Sequence, residues 1–381
     1  MIDRVKVSEC CGCKACTDAC SHGAISFKEG TDGFQYPKLD QERCVQCGLC
    51  IKSCPILNRE PPAKSIALDV LAAQCKDRTV RSNSSSGGIF SVLARKVFDE
   101  GGVVYGAAWD SQMQLRHVKA EDCESLSSLM GSKYIQSDTT DIYRSVKEQL
   151  LAGRQVLFSG TPCQVRALRL FLRKPFDNLL TVDVVCHGTP SQASFDRYRS
   201  TLEKKKGARI TGMNFRSKVS GWKSFSVEIS YANGMRTIAE HHQDLFMRGF
   251  LSNLNLRRSC YHCPANHYRS GSDLTLGDFW SYVHKQGCFG DDEGVSAVII
   301  HTEQGSKALQ RCAAAFDAEN QELSRLVACN HVLEESVKQP SNRDAYLALV
   351  MNGKFEKADD LFVCRTTRER IKKRIYRLKK G

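Results

Sequence analysis

No stretch of this 381-residue sequence stays apolar for the roughly 18 residues that a membrane-spanning helix needs; the best runs are short, as at 295–300. The first nine residues are polar and charged and lack the apolar centre of an export signal, so a soluble, cytoplasmic protein is expected. Long low-complexity segments are missing too, and the only internal repeat is a cysteine motif. No nucleic-acid recognition motif is present.

Cysteine is what the chain has in excess. Nineteen are present, and nine of them fall between Cys10 and Cys54. In a reducing compartment such clustering points to thiolate chemistry rather than to a disulfide framework. Cys10, Cys13, Cys16 and Cys20 have the spacing C-x2-C-x2-C-x3-C, and Cys44, Cys47, Cys50 and Cys54 repeat it before Pro55. Two residues between successive cysteines let a tight loop aim three thiolates at one cubane, while the fourth reaches the neighbouring cluster. The expected ligands are therefore crossed: Cys10, Cys13, Cys16 and Cys54 for cluster one, and Cys44, Cys47, Cys50 and Cys20 for cluster two. Cys11 is left over. Paired zinc sites are the alternative, but they are ordinarily built from separated C-x2-C pairs. Residues 7–57 resemble bacterial-type two-cluster ferredoxins, with Ser21 where a proline commonly follows the fourth cysteine.

Residues 1–57 thus read as an α+β ferredoxin module, and the prolines within 58–64 as a short stiff linker. From 65 to about 360 a larger α/β domain is expected, with a mixed, partly parallel sheet. Residues 87–98 place Ile89, Phe90, Leu93 and Val97 on one helical face, stopped by Gly101-Gly102. Strands are predicted at 103–109, 155–158 and 179–185, and helices at 161–172 and 191–205; this β-α-β-α order favours parallel pairing. Beyond Gly207 the alternation of Phe225, Val227 and Ile229 before Asn233-Gly234 predicts a hairpin and an antiparallel subdomain.

Four cysteines of this domain invite a common site. Cys163 and Cys186 each follow a predicted strand, and parallel strands would point both at one crevice. Pro162 suits a first helical turn, whose free N–H groups favour a thiolate at Cys163. Cys260 and Cys263 add a C-x2-C pair flanked by basic residues. Together the four have the makings of a third 4Fe-4S cluster; a redox dithiol at Cys260/Cys263 and a zinc site are the alternatives. Cys75, Cys123, Cys288, Cys312, Cys329 and Cys364 show no spacing motif and read as structural.

Several phrases occur in order: Ser84-Ser85-Ser86-Gly87-Gly88, Gly131-Ser132-Lys133-Tyr134, Ser159-Gly160-Thr161-Pro162-Cys163-Gln164, Cys186-His187-Gly188, Arg257 through Cys260 to Cys263, and Leu276-Gly277-Asp278-Phe279-Trp280. Together they resemble the coenzyme F-420 hydrogenase/dehydrogenase beta-subunit family over residues 65–360. The resemblance implies FAD beside a four-cysteine cluster, and an oxidoreductase exchanging electrons between a two-electron partner, a deazaflavin or nicotinamide-type cofactor or another organic substrate, and one-electron carriers. It implies that Ser86, Gly87 and Gly88 receive the flavin pyrophosphate at a helix start, with Lys133 and Thr161 as further flavin contacts. His187 is a candidate proton relay, with a hydrogen-bonding role behind a ligand as the alternative. Asp278 is either a turn residue or a cofactor contact.

The formal charge of +13 is concentrated at one end: nine basic residues and one acid, Glu369, lie between Arg365 and Gly381. Ile371, Ile375 and Leu378 share one helical face, so residues 361–381 read as a basic amphipathic tail for an acidic protein such as a ferredoxin, a partner redox enzyme, an anionic surface or nucleic acid. The leading expectation is an iron–sulfur flavoprotein oxidoreductase; the alternative is a noncatalytic electron-relay subunit docked on a partner enzyme.

Overall fold

A computed structural model of the chain describes residues 1–59, 67–283 and 291–363. Most of the 58–64 linker, most of the 361–381 tail, Cys288 and Cys364 lie outside the described residues. Among the described residues no helix is long and apolar enough to cross a membrane.

The N-terminal module is built around its cysteine motifs. Strands β1 (Ile25–Glu29) and β2 (Gln35–Leu39) form an antiparallel hairpin. One-turn helices at Ala15–Asp18 and Leu49–Lys52 each carry the third cysteine of a motif. The two motifs share a backbone path: positive φ occurs at Gly12 and Lys14 in the first and at the equivalent Gln46 and Gly48 in the second. Lysine and glutamine rarely accept that conformation, so the repeated spacing corresponds to a repeated loop shape. Ile2, Val5 and Ile25 close a small core with Cys16, Cys50 and Cys54.

The larger domain continues from β3 (Asp69–Cys75), β4 (Val103–Trp109) and β5 (Leu115–Ala120) to β6 (Val156–Gly160) and β7 (Leu179–Val184). After the small-sheet strands β8 (Ile210–Ser217), β9 (Ser226–Tyr231) and β10 (Arg236–Glu240) come β11 (Leu274–Asp278), β12 (Ser296–Ile300) and β13 (Phe316–Asn320). Eight strands form one sheet in the order β13-β3-β12-β11-β7-β6-β4-β5. The four central strands β4, β6, β7 and β11 pair in parallel, and antiparallel strands extend both flanks. The sheet is mixed and partly parallel, as its sequence pattern implies. The expected hairpin forms from β9 and β10 and joins β8 in a separate antiparallel sheet.

Alternation along the central strands divides the core in two. Val104, Leu157, Leu180 and Val182 face one side with the helix Ile89–Asp99. Val103, Tyr105, Val156, Phe158 and Leu179 face the other, against the helices Ile142–Leu151 and Pro162–Leu172. Cys11, Cys13 and Ala15 of the N-terminal module are buried in that second layer. The module therefore shares a core with the large sheet rather than hanging from it by the chain alone.

Candidate metal centres

In the N-terminal module, Cys20, Cys44, Cys47 and Cys50 line one small cavity, at which Cys47 is exposed to solvent. Cys10, Cys13, Cys16 and Cys54 gather on the inner side. Burial pushes the Cys16 thiol up, and the nearby Cys10, Cys54 and Cys50 push it further. Cys54 is raised by burial too, and by Cys10 and Cys50, against N–H groups of Leu57 and Ile56 that stabilise its charge. The fourth cysteine of each motif thus lies with the first three of the other.

The large-domain cysteines converge from three chain segments. Parallel pairing of β6 with β7 brings Cys163 and Cys186 to the same sheet edge. Cys260 lies in the 3-10 turn Arg258–His262 and Cys263 follows it. Gly188, two residues after Cys186, has φ +135°, a conformation that side chains rarely adopt, and a Cβ there would lie 3.3 Å from the Cβ of Cys260. Burial raises the Cys186 thiol, and Cys260, Cys163 and Cys263 raise it further. Cys263 is pushed up to about 12 by burial, with Cys163 and Cys260 adding to it. Four half-buried thiols that oppose one another's ionisation would become thiolates together only around a strongly positive core, and their donor set fits an iron–sulfur cluster.

Cys163 departs from expectation. A helix start ordinarily lowers a thiol, but here a hydrogen bond with Cys11 and burial raise it well above its usual value, against the Thr161 hydroxyl 3.2 Å from its sulfur. Cys11 lies in one buried cluster with Cys13, against which Cys163 packs, and both neighbours act on its thiol. Sequence reasoning set it aside, since nothing in the spacing distinguishes it; it sits between the two cysteine groups. Among the described residues no three His, Cys, Asp or Glu side chains are arranged to hold a single metal ion. A cubane makes a different demand, since each of its four thiolates takes a separate iron.

The residues expected to hold flavin are engaged with the protein. The Ser86 hydroxyl donates to the carbonyls of Gly277 and Val295, at 3.3 and 2.8 Å. Gly87 donates its N–H to the Ser296 hydroxyl at 3.0 Å, and a Cβ on it would lie 2.3 Å from the Ala73 carbonyl oxygen. Its bareness serves strand packing. The Lys133 ammonium donates to the carbonyls of Met130 and Gly131, and burial lowers its pKa to about 7. Thr161 shares a capping box with Gln164. Gly88, by contrast, opens the helix Ile89–Asp99 with no side-chain cap. His187 Nε2 lies 2.6 Å from the Asn253 amide oxygen, to which it donates; its ring rests on Phe250, and burial lowers its pKa.

Three of the separated phrases meet at Arg216, which sequence reasoning missed because one arginine in an alternating strand carries no signal. Its guanidinium binds Asp278 at 2.8 Å, the Ser85 carbonyl at 3.2 Å and the Tyr134 hydroxyl at 3.3 Å, and lies over Phe225 and Trp280. Asp278 also accepts from the Trp222 indole at 3.0 Å, so it is an ion-pair partner here.

Beneath Cys163, His117 Nε2 donates to the Ser159 carbonyl at 2.9 Å and Nδ1 accepts from Ser137, which also accepts from Gln164. Burial lowers the His117 pKa to about 4. Between pH 6.5 and 4 the unfolded chain takes up a proton that the folded chain refuses. His117 should therefore cost about 3 kcal/mol of stability across that window as the pH falls. Equilibrium unfolding of the wild type and His117→Gln should show the wild type losing that much more; parallel pH profiles would reject it.

Residues 153–325 match the family model for the C-terminal part of the coenzyme F420 hydrogenase/dehydrogenase beta chain, and residues 9–57 match that of the 4Fe-4S dicluster domain. The chain is similar to the component designated F of the F(420)H(2) dehydrogenase of Methanosarcina mazei, 22% identical over 315 residues that cover 78% of this chain and 80% of the relative. It is similar to an uncharacterized protein of Methanocaldococcus jannaschii, 24% identical over 45% of this chain and 55% of that protein. Over 44 residues, 12% of this chain and 27% of the relative, it is 39% identical to ferredoxin-type protein NapF of Escherichia coli. A chain in the xenon-derivatized F420-reducing NiFe hydrogenase complex from Methanosarcina barkeri aligns at 17% identity and a TM-score of 0.47, over 79% of this chain and 93% of that one. The paired cysteine motifs lie in one matched region and the phrases from Ser159 to Trp280 in the other, so the chain carries a 4Fe-4S dicluster domain at its N-terminus and, over residues 153–325, a region matching the C-terminal part of the coenzyme F420 hydrogenase/dehydrogenase beta subunit.

Proposed function

We propose that this chain is an oxidoreductase subunit that moves single electrons along three 4Fe-4S clusters. Cluster two is held by Cys44, Cys47, Cys50 and Cys20, cluster one by Cys10, Cys13, Cys16 and Cys54, and cluster three by Cys163, Cys186, Cys260 and Cys263. Residues 1–57 act as the ferredoxin domain, 58–64 as its link, 65–360 as the catalytic unit, and 361–381 as a basic tail that meets an acidic redox partner. The observation that carries the reading is the packing of Cys163 against the buried cluster that holds Cys11 and Cys13. It sets two cysteine groups that are far apart along the chain side by side. Cluster two, with the exposed Cys47, is the end open to an external one-electron carrier.

The organic end of the path is FAD, which when bound exchanges an electron pair with a deazaflavin- or nicotinamide-type cofactor and passes single electrons on. The uncapped helix start at Gly88 supports this, because backbone N–H groups there suit a phosphate. Ser86 and Gly87 hold that helix against the sheet. Lys133, buried and lowered to about 7, supplies a nearby charge that a reduced, anionic ring would draw back to the protonated form. His187 orients a proton beside the Cys186 ligand through Asn253.

Quantifying iron, acid-labile sulfide and flavin in protein purified without oxygen tests both parts. About twelve iron atoms and one FAD per chain are expected. About eight iron atoms would remove cluster three, and flavin-free protein with intact clusters would leave a relay that depends on a partner's cofactor.

A further inference from the structure

Arg257 is 2% exposed and sits where the N-terminal module meets the large domain. Its Nη1 donates to the Cys10 carbonyl at 3.0 Å, Nη2 to the Gln35 carbonyl at 2.8 Å, and Nε to the Gln136 amide oxygen at 2.8 Å. Gln136 in turn donates to the Cys11 carbonyl at 2.7 Å. The guanidinium lies over Phe34 and Tyr36, at 4.8 and 4.9 Å from their ring centres. It also fills the space beside Gly12, where a Cβ would come within 2.6 Å of Nη2, at φ +66°. Three residues onward in the chain lies Cys260.

Other buried arginines of the molecule have carboxylates. Arg343, fully buried at the same junction, is within ion-pair distance of Asp32 and Asp344, and Arg216 holds Asp278. Among the described residues Arg257 has no carboxylate partner, and its hydrogen bonds end on neutral carbonyl oxygens. A buried cation left so is costly unless an anion faces it. The anionic groups within its reach are sulfur: its charge acts on Cys10, Cys163 and Cys260. A 4Fe-4S core with four thiolates is net negative in both oxidation states and gains one more negative charge on reduction.

We propose that Arg257 is a positioning residue shared by clusters one and three, the counter-cation that favours their reduced states and clamps them at a fixed separation. This rests on the three-cluster reading above. In each hop one electron leaves one cluster, oxidising it, and reduces the other; no bond forms or breaks. A fixed cation between them stabilises whichever is reduced, so neither becomes a deep trap for the electron. Cluster two, on the far side of the module, lies outside its influence.

Redox titration followed by electron paramagnetic resonance, on full-length protein kept from oxygen, tests this with iron assayed on every sample. Arg257→Gln should lower the midpoint potentials of clusters one and three and leave cluster two unchanged, while Arg257→Lys restores most of the shift. Arg343→Gln, which weakens the same junction but removes an already paired charge, should move none. Unchanged potentials in iron-replete Arg257→Gln, or an equal shift in Arg343→Gln, overturn the proposal. If the glutamine variant fails to hold iron, the lysine variant decides: wild-type potentials support a role for the charge, and lowered ones refute it. Wild-type iron near eight atoms would instead strike at the three-cluster reading itself.

Discussion

Cys163→Ser should reduce the iron bound per chain from about twelve atoms to about eight, with the loss confined to cluster three. Serine offers a hard, poorly ionised oxygen where the cubane needs a soft thiolate. The fold should survive, because the helix Pro162–Leu172 is started by the Thr161–Gln164 capping box and held by Val165 and Leu168 in the core, not by the Cys163 sulfur. Reduction should then stop at clusters one and two, and any transfer to an organic acceptor should fall by orders of magnitude. Iron and sulfide assays with far-ultraviolet circular dichroism check both halves. Twelve iron atoms in a folded variant would show that Cys163 holds no cluster.

Asp18→Ala should destabilise the chain by about 3 kcal/mol, a large effect for one side chain of the small module. The reason lies in the large domain. Asp18 is 4% exposed and accepts the N–H groups of Asp141 and Tyr143, at 2.9 and 3.0 Å, where the helix Ile142–Leu151 begins without a side-chain cap of its own. A carboxylate from the module thus caps a helix of the domain it docks on, and alanine would leave the buried Tyr143 N–H and the part-buried Asp141 N–H without this partner. Arg144 returns the contact by donating to the carbonyls of Thr17, Asp18 and Cys20. Tyr143 and Thr139 both donate to the Cys13 carbonyl. Denaturant midpoints should show the loss, with Asp18→Asn intermediate because its amide oxygen still accepts. Cluster three should also reduce more slowly from the ferredoxin side in Asp18→Ala. A midpoint within experimental error of the wild type would mean that the docking does not depend on this cap.

The local structure was legible wherever a residue's role depends on its near neighbours. The strand at Val103–Trp109 coincides with its sequence signal, and the helices at Pro162–Leu172 and Gln192–Lys206 begin within one residue of theirs. The flanking antiparallel strands, Phe316–Asn320 among them, carry no clear period and were not foreseen. Ser86, Gly87 and Thr161 show the limit of reading a phrase: the residues occur as the family resemblance implies, yet their polar groups are engaged by strands and a capping box.

By itself the sequence determined the chemistry and the class of fold. Thiolate spacing dictates which metal assembly the first module suits, and the alternation of strand and helix periods dictates a partly parallel sheet; both are short-range properties of the chain. Only the tertiary structure decided that Cys163 packs on the cluster holding Cys11, that Asp18 caps a helix more than a hundred residues away, and that Arg257, with no carboxylate partner among the described residues, sits between two cysteine groups. Those relations depend on how two surfaces meet, and the free energy of that meeting is spread over burial and hydrogen bonds among residues with no fixed separation along the chain.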